Sequence, residues 1–202
     1  MSLVGGGANR QNLRVPTHVA LLRGVNVGGR NRVAMSDLRA VLTSLAHTDV
    51  ATYIQSGNVI FSSVETDTAA IAADLERAIA ESLGVAPRVV VLSREELRQV
   101  VADNPYPDEA NPQYLHVAFT GEPIGPDQLT AVVTAQQRSR DKGSRDEATV
   151  VGCVLFLHTP GGLGRSELAA QLARTGGPLA AGSSATVRNW STVTALLALC
   201  QA

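Results

Sequence analysis

The stretch Arg23-Gly24-Val25-Asn26-Val27-Gly28-Gly29-Arg30-Asn31-Arg32 has the residue types and spacing best suited to chemistry in this 202-residue chain. Glycines let backbone N–H groups come close to an anion, and arginines surround the loop. A helix is expected to follow, and helix N-termini favour negative charge. The stretch reads either as a phosphate or carboxylate site, or as a tight strand-to-helix connection with solvated arginines. It lacks GxGxxG spacing, so a dinucleotide fold is a poor fit.

Three further loops carry polar groups. Gln55-Ser56-Gly57-Asn58 lies between two β-rich pieces, where Gly and Asn supply the positive-φ positions of a hairpin while Gln and Ser add hydrogen-bonding groups. Thr159-Pro160-Gly161-Gly162-Leu163-Gly164-Arg165-Ser166 leads from a strand to a helix, but breaks the phosphate-binding P-loop pattern at Thr159 and Arg165 and reads as a helix entry. Arg188-Asn189-Trp190-Ser191-Thr192 precedes the last helix. Trp190, the only tryptophan, suits an aromatic anchor there, with Asn189 or Ser191 as the cap.

Other chemistries find no footing. The histidines at 18, 47, 116 and 158 show no metal-ligand spacing. No GxSxG elbow surrounds Ser56, and the acidic residues form no assignable dyad. Cys153 and Cys200 stand far apart, which argues against a disulfide framework or zinc site and fits a reducing cytoplasm. No metal or cofactor is implied. A net charge of −1 favours neither nucleic acid nor an anionic membrane, and aromatics are only 3% of residues. Lys142 is the single lysine, so arginine is the cation available for an anion. No apolar run approaches the roughly 20 residues of a membrane span.

These loops must be positioned by regular elements. Apolar patterning predicts a strand at His18–Arg23, a helix capped by Ser36 and running to Ala46, and a hairpin through ATYIQ-SGN-VIFSS. A helix from Asp67 or Thr68 to Leu83 follows, then a strand at Arg88–Leu92. Ser93 with Glu96 makes a capping box for another helix, which stops before Asn104-Pro105. After the proline-rich Asn104–Pro112 the order begins again. It gives a strand at Tyr114–Thr120, a helix at Asp127–Gln137, a charged loop at Ser139–Asp146, and a hairpin of Ala148–Val151 with Val154–His158. A helix at Ser166–Thr175, a strand at Ala185–Arg188 and a helix at Ser191–Leu199 complete it.

Identities at near-constant offset support a repeat. His18-Val19-Ala20 matches His116-Val117-Ala118, Ala51-Thr52 matches Ala148-Thr149, and Phe61 matches Phe156. The expected fold class is α+β, a tandem duplication of a βαββαβ ferredoxin-like unit, each copy followed by an extra helix. Residues 1–15 form a flexible leader, 16–104 the first unit, 105–112 the linker and 113–202 the second unit. In that topology the loop at Gly24–Asn31 and the hairpin at Gln55–Asn58 share one rim.

ALLRGVNVGGRNRVAMSDLRA (Ala20–Ala40), TYIQSGNVIF (Thr52–Phe61), Asn104-Pro105 and TVRNWSTVTAL (Thr186–Leu196) together make the chain resemble the DUF1697 family of uncharacterised, mostly bacterial proteins. The resemblance implies two subdomains of duplicated ferredoxin-like units, with exchange of the terminal helices as one variant. It supplies no activity, substrate or cofactor. The chain departs from the family at Ser166-Glu167, where the family often has Ser-Lys, and this weakens an anion site at that helix start.

The expected function is binding, with or without turnover, of a small anionic or phosphorylated ligand at the first-unit rim. The candidate residues are Arg23, Asn26, Gly28, Gly29, Arg30, Gln55, Ser56, Asn58, Arg188, Asn189 and Thr192. No nucleophile or general base can be assigned, so the sequence names no reaction. A nucleic-acid-binding module and a non-catalytic protein-interaction scaffold are the alternatives. In the scaffold reading the Arg and Asn motifs merely join the two units.

Overall fold

The computed structural model describes residues 15–26, 31–174, 176–180 and 182–201. Short runs of β-branched and aliphatic residues form strands, and apolar stripes at helical spacing form helices between them. The chain order is β1 (His18–Leu22), α1 (Met35–Ser44), β2 (Thr48–Tyr53), β3 (Asn58–Ser62), α2 (Thr68–Leu83), β4 (Val89–Ser93) and α3 (Arg94–Ala102). It continues with β5 (Leu115–Phe119), α4 (Pro126–Asp141), β6 (Glu147–Val151), β7 (Val154–His158), α5 (Glu167–Arg174), β8 (Thr186–Asn189) and α6 (Trp190–Leu199). The strands make two four-stranded antiparallel sheets, ordered β2-β3-β1-β4 and β6-β7-β5-β8. No helix among the described residues is long and apolar enough to cross a membrane.

Alternation along the strands sorts the core into layers. Ala20, Leu22, Val59, Phe61, Val89 and Val91 face α1 and α2. Val19, Leu21, Ile60 and Val90 face the other way, into a core shared with Val117, Phe119, Val154 and Phe156 of the second sheet. Leu97 of α3 and Val193, Leu196 and Leu197 of α6 complete that shared core. Ala118, Leu155 and Leu157 pack against α4 and α5. The central strands are thus covered on both faces.

Each trailing helix packs on its own sheet, α3 on β4 and β1, α6 on β5 and β8, and the two helices pack on each other. Ser93 runs directly into Arg94 and Asn189 into Trp190.

Strand register decides which residues of the two halves correspond. Val19 pairs with Ile60 and Leu92, while Val117 pairs with Phe156 and Arg188. Phe156 therefore occupies the place of Ile60, not of Phe61, and the two phenylalanines point into different cores. Ala51 opposes Ile60 while Thr149 opposes Phe156, so the Ala-Thr identities are also one place out of register. A one-residue slip reverses the face of a side chain. Only the His-Val-Ala identity is in register. A cap correspondence takes its place: Ser93 and Asn189 pair with His18 and His116 and each caps the helix that follows.

Several element ends differ from expectation. Ala34, not Ser36, stands at the N-cap of α1 without a side-chain cap, and Ser36 donates instead to Asp37. Asn26 clasps both the N–H and the carbonyl of Val33, so the chain enters the helix immediately afterwards. Helix α4 runs on to Asp141 because Val132, Ala135 and Ser139 continue one buried stripe. Trp190 is the first residue of α6 and not part of a loop; its ring meets Phe156 at 6.3 Å.

Candidate functional site

The rim forms where the loop after β1 meets the β2–β3 hairpin. Gly57, at φ 71°, lies so close to this loop that an added Cβ would stand 2.4 Å from Val25 Cγ2 and 2.8 Å from Leu22 Cβ. Only glycine combines that backbone angle with that approach. Asn26, at φ 55°, donates from Nδ2 to the carbonyls of Val33 (2.9 Å) and Gln55 (3.1 Å), and its Oδ1 accepts from Val33 N–H. Asn31 Nδ2 donates to the Gly24 carbonyl at 3.1 Å. The two asparagines therefore brace the rim with their side chains, in a left-handed conformation that Asn tolerates.

Behind the rim lies the junction of the two sheets. Arg188 on β8 donates Nε to Asn58 Oδ1 at 2.5 Å and Nη1 to Thr186 Oγ1 and the Val187 carbonyl. Its Nη2 donates to the Leu22 carbonyl at 2.8 Å and to those of Ser56 and Gly57 at 3.2 and 3.5 Å. All five guanidinium hydrogens are thus directed at protein acceptors. Asn58 is fully buried and donates Nδ2 to the Tyr53 carbonyl and Ser56 Oγ. Burial lowers the Arg188 pKa to about 10, and the group stays charged at neutral pH. Arg23 reaches across the same junction, donating Nη1 to the carbonyl and hydroxyl of Ser183.

The sequence-derived candidates divide accordingly. Arg23, Asn26, Ser56, Asn58 and Arg188 come together, and their described bonds are spent on protein partners. Asn189 and Thr192 belong to the α6 cap, where Asn189 Oδ1 accepts from Thr192 N–H at 2.9 Å. Gln55 projects an exposed side chain. Gly28, Gly29 and Arg30 lie outside the described residues. The Thr159–Ser166 loop is a helix entry: Ser166 Oγ accepts from Ala169 N–H and donates to Asp146.

Two residues of the rim escaped selection. A groove of about 710 Å³ is lined by Asn26, Arg32, Val33, Ala34, Asp37 and Gln55. Arg32 is exposed, and among the described residues it has no hydrogen bond or ion pair. It closes the Arg/Gly stretch, and that position was its one sequence signal. Asp37, from the first turn of α1, gave none. Beside the groove Ile54 takes φ 49° with 53% of its surface exposed, an unfavourable backbone for a β-branched residue that core burial does not explain. Among the described residues no cluster of three or more His, Cys, Asp or Glu is placed to hold a metal ion.

These features define a two-sheet α+β protein with an arginine-held junction and a polar groove at one rim. The chain belongs to the family described as "Protein of unknown function (DUF1697)", whose model it matches over residues 15–156. Among solved structures it is similar to the conserved bacterial protein SP0830 from Streptococcus pneumoniae. The two are 24% identical with a TM-score of 0.67, over 92% of this chain and 98% of that one, a likeness of fold. No curated protein matches the chain.

Proposed function

We infer that this chain is a tandem duplication of a ferredoxin-like βαββαβ unit that binds a small anionic or phosphorylated ligand in the rim groove of its first half. The duplication is supported by the common strand order and by the corresponding caps Ser93 and Asn189. The boundaries at 104 and 113 both fall within a stretch, residues 103–114, without helix or strand. Unpaired Cys153 and Cys200 suit a reducing, cytoplasmic setting.

The observation that carries the binding reading is Arg32, a cation with no partner among the described residues, which lines a groove together with exposed Gln55 and Asp37. Arg32 would meet the ligand's negative charge, Asp37 would accept from its hydroxyl or amine groups, and Gln55 can do either. Asn26, Asn58 and Arg188 shape the site from behind. The test is a thermal-shift screen of nucleotides and phosphorylated metabolites. At least one should stabilise the wild type, and Arg32→Ala should lose that stabilisation while the exposed control Arg165→Ala keeps it. A panel without effect on the wild type would sink the reading.

The interaction-scaffold reading draws on a different observation, the complete use of the Arg188 donors within the junction. It predicts a silent ligand screen. A nucleic-acid reading gains nothing from the sheets, whose central strands are covered on both faces and so offer no open stacking platform.

A further inference from the structure

Resting on the anion-binding reading above, we propose that Arg188 is the positioning charge of that site: a half-buried cation with no carboxylate partner, behind the rim, that makes the groove select phosphate-bearing anions over neutral ligands. The residue does not touch the ligand. It acts through its field and through the Ser56 and Gly57 peptides, whose carbonyls it holds.

Three observations lead there. Charges withdrawn from water are normally matched by an opposite charge, because the desolvation cost is large. Arg188 instead has only neutral acceptors, Asn58, Thr186 and four backbone carbonyls. Among the described residues it takes part in no ion pair, and burial alone accounts for its altered acidity.

A junction by itself does not require the charge. The corresponding place on β4 is held by Leu92, which packs in the shared core without hydrogen-bonding groups. A second guanidinium, Arg23, stands one residue from the Leu22 carbonyl that Arg188 holds, and it too is bound only to neutral oxygens, those of Ser183. Two cations hydrogen-bonded to no carboxylate at one junction, beside a groove where Arg32 and Asp37 offset each other, bias the potential there towards positive. Low-dielectric surroundings extend its reach. An anion in the groove is the counter-charge that no hydrogen bond of Arg23 or Arg188 supplies.

Asn58 makes the idea testable, since it is fully buried and cannot touch a ligand. Asn58→Asp places a carboxylate on Arg188 Nε while leaving the groove surface unchanged, and the Ser56 hydroxyl can turn to donate to it. The probe is inorganic pyrophosphate at fixed ionic strength, followed by the fluorescence of Trp190, the chain's only tryptophan. Binding should be saturable in the wild type and at least about tenfold weaker in Asn58→Asp, compared at a temperature where the variant is folded because the Tyr53 carbonyl loses its Asn58 donor. Arg188→Gln, the second variant, should weaken binding likewise, and Arg188→Lys should keep it within about threefold.

Undiminished pyrophosphate binding by folded Asn58→Asp or Arg188→Gln would reduce Arg188 to a structural joint and overturn the proposal. Absence of pyrophosphate binding to the wild type would also overturn it. The underlying reading fails separately, when no member of the nucleotide and metabolite panel stabilises the wild type.

Discussion

Arg188 donates to Asn58 across 130 residues of chain and from one sheet to the other. Because the same guanidinium also holds the carbonyls of Leu22, Ser56 and Gly57, a single side chain ties β8 to both β1 and the first hairpin. Arg188→Ala would strand those acceptors, and a loss of about 3 kcal/mol is expected in urea unfolding. Arg188→Lys should recover less than half of it, since an ammonium cannot reproduce the planar fork.

Gly57 and Gly84 separate backbone strain from crowding. Both have positive φ, 71° and 66°, but only Gly57 has atoms in the way of a Cβ. Gly84→Ala should cost about 1 kcal/mol from backbone strain alone. Gly57→Ala should cost at least about twice as much, because Val25 and the strand residue Leu22 must also move. Paired denaturation curves will check the difference.

Ile54 should show the opposite sign. Its exposed side chain contributes little to the core, while its φ of 49° is unfavourable for a β-branched residue. Ile54→Asn is expected to raise stability by about 1 kcal/mol, since Asn tolerates that backbone. If the groove binds as inferred, the same variant should change ligand affinity, measurable by the thermal-shift screen.

The corresponding caps offer a matched pair. Ser93 Oγ accepts from Glu96 N–H at 3.1 Å and Asn189 Oδ1 from Thr192 N–H at 2.9 Å. Alanine at either place should cost about 1 kcal/mol. The double variant should be additive unless α3 and α6, which pack on each other, couple the two ends.

Acid should weaken the fold through its histidines. His18, His47 and His116 are held below the ordinary histidine value of about 6.5 by burial, with His47 adding to the effect at His18. As pH falls below 6.5 the unfolded chain takes up protons first, so the stabilisation present above that pH is lost until the folded-state values are passed. Urea midpoints should therefore drop between about pH 7 and pH 5, and His116→Asn should flatten the profile.

Local signals in the chain predicted most of these elements. The capping box at Ser93 and Glu96, the Asp67 cap, Gly84 at a helix end and the alternating strands all act within a few residues. Their effects need no distant partner, and the element order followed from them. Where expectation failed, a distant residue had intervened: Asn26 set the start of α1, and the buried place of Ser139 lengthened α4. The common element order of the two halves was legible, but two of the three matched identities are out of register, because only strand pairing reveals register.

The rim followed from connectivity, and Asn26 does reach Gln55 there. Sequence alone determined the arginine-rich, lysine-poor loops and the α+β order that brings them near one another. Tertiary structure decided which of their side chains face water. Arg188 and Arg32 are the same residue type in similarly polar stretches, yet one on β8 is held by carbonyls of β1 and the first hairpin, and the other has no partner among the described residues and lines a groove. That difference is a matter of which distant acceptors lie within hydrogen-bond reach, and spacing along the chain does not encode it.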